Sequence, residues 1–111
     1  MGNHVMRVWT AKILTSDGEG YIDLVRRTGL QDHAETAGHL RSWVLSRRLD
    51  AGYTEIKTVS LWESREAIEA FAGYDIERSV SYPGEEMYLI ESSPWAAHFD
   101  IAFDSQSEMS D

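Results

Sequence analysis

Cysteine is absent from the 111 residues. That excludes a disulfide framework, a thiolate zinc site and a cysteine nucleophile. Positive charge is scarce: 10 Lys and Arg stand against 19 Asp and Glu, a formal net charge of −9. An acidic balance argues against DNA or RNA, because a phosphate-binding surface needs a positive field. It argues equally against an anionic membrane surface. No apolar run reaches the roughly 20 residues of a spanning helix, and nothing reads as a signal peptide. The start Met1-Gly2-Asn3 puts Met6 where a myristoylation signal wants Ser or Thr. Glycine makes no phosphate loop, since Gly18 and Gly20 fit neither dinucleotide nor P-loop spacing. A cytoplasmic protein is the expectation. Apolar residues are 42% of the chain, including four tryptophans, five tyrosines and three phenylalanines, enough to bury a core. The length suits one domain, expected over residues 1–103.

Residues 4–14 read as a strand rich in β-branched and aromatic side chains: Val5, Val8, Trp9 and Ile13. Ser16 to Glu19 matches a capping box before a helix with Tyr21, Leu24, Val25 and Thr28 on one stripe, stopped by Gly29. Residues 30–38 read as irregular. Strands are expected at 40–49 and 53–62, joined by the hairpin loop Asp50-Ala51-Gly52. The later strand alternates: Ile56, Thr58, Ser60 and Trp62 share one face, and Glu55, Lys57, Val59 and Leu61 the other. Ser64 is placed to cap a helix with Ala67, Ile68, Phe71 and Ala72 inward, closed by Gly73. One or two more turns are expected over 75–80, then a turn at Tyr82-Pro83-Gly84 and a short strand at 87–90. Pro94 breaks that strand. A last one is expected at 95–103, with Ala97, Phe99, Ile101 and Phe103 toward the core, before a frayed acidic tail over 104–111.

The order is βαββαβ with an extra C-terminal strand, an α+β, ferredoxin-like arrangement. Helices cover one sheet face. The face bearing Val59 and Leu61 is left bare, and a second copy of the chain is the natural cover, so a homodimer is expected.

The stretch Val59-Ser60-Leu61-Trp62-Glu63-Ser64-Arg65-Glu66-Ala67-Ile68-Glu69-Ala70-Phe71-Ala72-Gly73 resembles the antibiotic biosynthesis monooxygenase family of the dimeric α/β-barrel superfamily. The likeness continues through Asp75 to Pro83 and the closing His98-Phe99-Asp100-Ile101, so it covers roughly residues 5–103. It implies two ferredoxin-like subunits pairing into a barrel, each with a pocket between helices and sheet that Trp62 faces. The family implies cofactor-free oxygenases of aromatic polyketides, haem-degrading oxygenases and isomerases. Two departures stand out. The first-strand asparagine of the better-understood oxygenases has no counterpart, since Asn3 is the only asparagine. The second helix lacks the histidine of haem-degrading members and is followed by Tyr74 and Asp75.

The candidate chemistry follows. A face of Ile56, Thr58, Ser60 and Trp62 reads as the wall of an amphipathic pocket, with Phe71 expected opposite Trp62 across a cavity. Trp62 and His98 are the catalytic candidates, His98 paired with Asp100 for acid–base work unless the pair is set at a dimer interface or sheet edge. Thr58, Ser60, Phe71, His39 and Tyr82 are the substrate-binding candidates. Asp32, His33, Glu35 and His39 offer metal-ligand types without a metal spacing and read as a solvated loop. No metal and no cofactor are expected. Two functions stay open. One is an oxygenase or isomerase in which a deprotonated flat substrate reacts without flavin or metal. The other is a non-catalytic ligand-binding or structural dimer.

Overall fold

The computed structural model describes residues 4–106; Asn3 and positions 107–111 of the expected tail lie outside them. Strand β1 (Val5–Leu14) is followed by a 3₁₀ turn and helix α1 (Gly18–Arg27). A second short helix, α2 (Gly29–Ala34), leads to β2 (His39–Arg48), β3 (Tyr53–Trp62) and helix α3 (Arg65–Ala72). Two short strands close the chain, β4 (Leu89–Ser92) and β5 (Ala97–Asp100). The sheet is antiparallel throughout, ordered β2-β3-β1-β4, and β5 also pairs with β1. This is the ferredoxin-like α+β arrangement with an added strand.

The strongest local signals act as expected. Ser64 is extended and its hydroxyl accepts from the Ala67 amide at 3.1 Å. Gly73, at φ +91°, ends the helix. The β2–β3 hairpin turns through Ala51 and Gly52, both at positive φ. Gly38 is required for a closer reason: at φ +92°, a Cβ there would meet the Ala67 Cβ at 2.5 Å. The start of β2 therefore packs directly on α3.

Several expectations are corrected. The capping box does not form, because residues 15–17 wind into a 3₁₀ turn that feeds α1 without a side-chain cap. The irregular stretch contains α2. Residues 75–80 are not helical; they are pinned by backbone bonds to the stretch around Pro94, with Ser79 N donating to Pro94 O and Ala96 N to Glu77 O. The fourth strand starts two residues later than expected, because residues 85–87 form a 3₁₀ turn. The last strand stops at Asp100, and its faces are reversed. The register sets His98 opposite Arg7 and Phe99 opposite Met6. His98 thus lies on the helix side, while Phe99 and Phe103 are 56% and 77% exposed.

The helix-covered face holds two apolar clusters. One gathers Ile13, Tyr21, Val25 and Ile56 under α1. The other gathers Val5, Trp62 and Ile68 under α3. The opposite face, bearing Met6, Val8, Trp43, Leu45, Val59 and Leu61 beside Phe99, has no helix over it.

Candidate functional site

Inward rungs of β1 and β3 run Val5–Trp62, Arg7–Ser60, Trp9–Thr58, Ala11–Ile56 and Ile13–Thr54. The outer rungs are largely apolar and feed the two clusters. The central rungs carry a guanidinium, an indole and two hydroxyls, so the sheet floor turns polar in the gap between the clusters. A cleft of about 50 Å³ opens there. Arg7, Trp9, Thr58 and Ser60 form its floor; Tyr21, Val25 and His33 come from α1 and α2; Phe71, Tyr82 and Glu85 complete it.

Arg7 is 5% exposed. Its Nη1 donates to Ile76 O and, at 3.0 Å, to His98 Nε2. Its Nη2 donates to Arg78 O at 3.0 Å. The guanidinium lies 5.6 Å from the Phe71 ring centre. No carboxylate of the described residues pairs with it. Burial lowers its pKa to about 10, opposed by Tyr82, so the group stays charged at neutral pH. Arginine has no acceptor, so His98 must accept at Nε2 and carry its proton on Nδ1. Burial, with the nearby Arg7 and Arg65 charges, lowers His98 to about 4 and keeps it neutral.

His33 is 4% exposed and stands edge-on to Phe71, ring centres 4.6 Å apart. Its Nδ1 lies 2.8 Å from Ser42 Oγ, and His39 Nε2 lies 2.7 Å from the same oxygen. One hydroxyl proton serves two ring nitrogens, so one ring donates to the oxygen while the hydroxyl donates to the other. Burial lowers His33 to about 4, helped by His39 and Arg7 and opposed by Asp32. Desolvation also lowers His39, against a backbone hydrogen bond at Arg41. The result is a chain of neutral groups running from the cleft to the half-buried His39.

The other end of the cleft carries oxygens. Tyr21 is fully buried, and its hydroxyl has no hydrogen-bond partner. Burial, with Glu85 nearby, raises its pKa. Tyr82 donates from Oη to Asp32 Oδ2 at 2.6 Å, and burial with that acceptor raises it too. Glu85 accepts the Tyr82 amide at 2.8 Å, and desolvation raises its pKa against that bond.

Four of the expected site residues, Thr58, Ser60, Phe71 and Tyr82, line this cleft. Trp62 does not. It is fully buried behind Phe71, stacked at 5.6 Å and 27°, and its Nε1 donates to Ser60 Oγ at 2.8 Å. The two rings stack instead of facing each other across a cavity, and Trp62 packs in one cluster with Val5 and Ile68. His39 sits two hydrogen bonds behind His33, through the Ser42 hydroxyl, and His98 sits behind Arg7. Asp100 does not pair with His98; it takes Arg65 at 3.2 Å. His33 and His39 turn to Ser42, and no group of three or more metal-ligating side chains gathers among the described residues. Sequence reasoning missed Arg7, His33 and Tyr21. Arg7 carried a signal, since strict alternation with Val5, Trp9, Ala11 and Ile13 points it inward.

No protein-family model and no curated protein matches the chain. Solved structures do. One, from Bacillus cereus and assigned as an antibiotic biosynthesis monooxygenase, is 18% identical with a TM-score of 0.63, covering 94% of this chain and 98% of that one. A heme-degrading protein of Mycobacterium tuberculosis is 21% identical with a TM-score of 0.56, covering 94% and 97%. A dimeric ferredoxin-like protein from an uncultured marine organism is 12% identical with a TM-score of 0.60, covering 92% and 98%. The chain has the fold of the antibiotic biosynthesis monooxygenase-like proteins.

Proposed function

We propose that the chain is a monooxygenase-like enzyme working without flavin or metal on a small, flat molecule of aromatic or polyketide type bound in this cleft. The observation that carries the reading is the buried His33, facing the cleft and joined through Ser42 to His39. A neutral His33 accepts a proton at Nε2 when its Nδ1–H donates to Ser42. The hydroxyl passes its own proton to His39, and the charge leaves the apolar site. The substrate it suits is a carbon acid. Its carbanion gives an electron to O₂ and combines with it; the peroxide takes a proton and loses water, so a CH₂ and O₂ become a carbonyl and H₂O. The walls exclude bulk water from that intermediate.

A ring-sized substrate needs more room than the cleft offers, since an apolar cavity that binds benzene is roughly 150 Å³. The Tyr82–Asp32 bond is the tie that has to open. The homodimer belongs to the same proposal. The bare sheet face supports it, as does the dimeric state of the marine ferredoxin-like protein. Cytoplasmic location is retained as part of the reading.

A second reading, a non-catalytic ligand-binding or structural dimer, is favoured by one observation: Trp62 and Phe71 stack at 5.6 Å instead of facing each other across a cavity. Oxygen uptake with flat CH-acids from indanone to anthrone separates the two. The enzyme reading expects one O₂ per carbonyl formed, and about 10²-fold slower uptake in His33→Gln. A folded wild-type protein that consumes no O₂ with any of them favours the second.

A further inference from the structure

We propose that the cleft recognises an anion, a carboxylate on the ligand, held by Arg7 at one end with the Tyr21 hydroxyl as a further donor. This rests on the cleft being a small-molecule site, and it names the chemical class admitted there. Three of the five N–H bonds of Arg7 are used, by Ile76 O, His98 Nε2 and Arg78 O. One on Nε and one on Nη2 have no acceptor among the described residues, and Arg7 lines the cleft. The Nε–Nη2 edge of a guanidinium takes both oxygens of a carboxylate.

A charge buried this deeply is normally paired. Carbonyls and a neutral imidazole cradle this one without cancelling it. His98 reinforces the point, because accepting from Arg7 holds it neutral. The acids near the cleft are accounted for. Asp32 takes the Tyr82 hydroxyl, and Glu85 takes the Tyr82 amide. Glu85 also lies near enough to Tyr21 to help raise its pKa. The Tyr21 hydroxyl is the one buried side-chain polar atom among the described residues without a partner. An orphaned donor and a partly used guanidinium, both on residues that line the cleft, describe a receptor for an acceptor-rich group. The net charge of the chain opposes such a ligand at long range, so the selectivity is local.

The test measures binding, so it does not depend on catalysis. Acetate and benzoate are titrated against acetamide and benzamide at constant ionic strength, followed by tryptophan fluorescence and by the Arg Nε–H signals in ¹⁵N NMR. The acids should bind about tenfold or more tightly than their amides. One Arg Nε–H resonance, assigned by its loss in Arg7→Gln, should shift with acid only. Tyr21→Phe, which keeps the ring packing, should weaken the acids more than the amides, because the bond to the charged acceptor is the stronger one. If Arg7→Gln does not fold, the acid-to-amide ratio on the wild type and the Tyr21→Phe result still decide. Equal binding of acids and amides overturns the anion assignment and leaves the small-molecule cleft standing. No binding of either overturns both.

Discussion

The two faces of the sheet are built from the same strands and depart from the usual distribution of polarity at opposite places. The face under the helices buries an arginine, a serine, a threonine and a histidine among its apolar side chains. The face without helices shows solvent Leu45 and Phe99, 48% and 56% exposed, beside Met6, Val8 and Trp43. Buried polar groups cost stability unless matched, and contiguous exposed apolar groups mark an interface. Each face is therefore unfinished in its own way. The covered face leaves a buried hydroxyl without a partner; the open face leaves apolar side chains in solvent.

The comparison can be broken in four places. The largest effect should come from Trp62→Ala. If the Trp62 end of the covered face is filled core, the variant loses about 3–5 kcal/mol by chemical denaturation. A loss under about 1 kcal/mol would return Trp62 to a pocket wall. Next is acid. His33 sits near pKa 4 in the fold against an ordinary 6.5, so the native state binds fewer protons than the unfolded chain between those values. Its contribution is complete above pH 6.5 and falls as pH drops toward 4, on the order of 3 kcal/mol, with His98 adding in the same direction. His33→Gln should flatten that profile. Third, Leu61→Asp on the open face should turn a dimer into a monomer by light scattering, at a cost of about 2–3 kcal/mol. A wild-type monomer at micromolar concentration would remove the partner from the comparison. The smallest effect is Tyr21→Phe, which should stabilise the ligand-free protein by about 1 kcal/mol, because it deletes an unsatisfied buried hydroxyl.

What the sequence made legible was local. Alternation marked the long strands, Ser64 announced its helix, and Gly73 ended it. Thr58, Ser60, Phe71 and Tyr82 could be placed because each lies on a clearly periodic or turn-forming stretch. α2 was hidden: six residues, opened by glycine and carrying Leu30 as their one aliphatic beyond alanine, show no stripe. Its histidine was hidden with it. The facing of β5 was set by pairing with a strand some 90 residues away, and no local pattern records such a register. Trp62 illustrates the same limit. Its face was read correctly, but what stands against that face depended on where α3 puts Phe71.

One side of β1 is shared by two strands that never meet along it: β5 covers Val5 to Val8, and β4 takes over at Ala11. Neither is longer than four residues. A proteolytic nick that released the last strand would uncover ladder donors and acceptors beside Met6 and Val8, an apolar edge able to template strand addition. Four residues at the rim of the sheet thus keep that edge paired, and a preparation clipped before them should form fibrils or precipitate more readily than the intact chain.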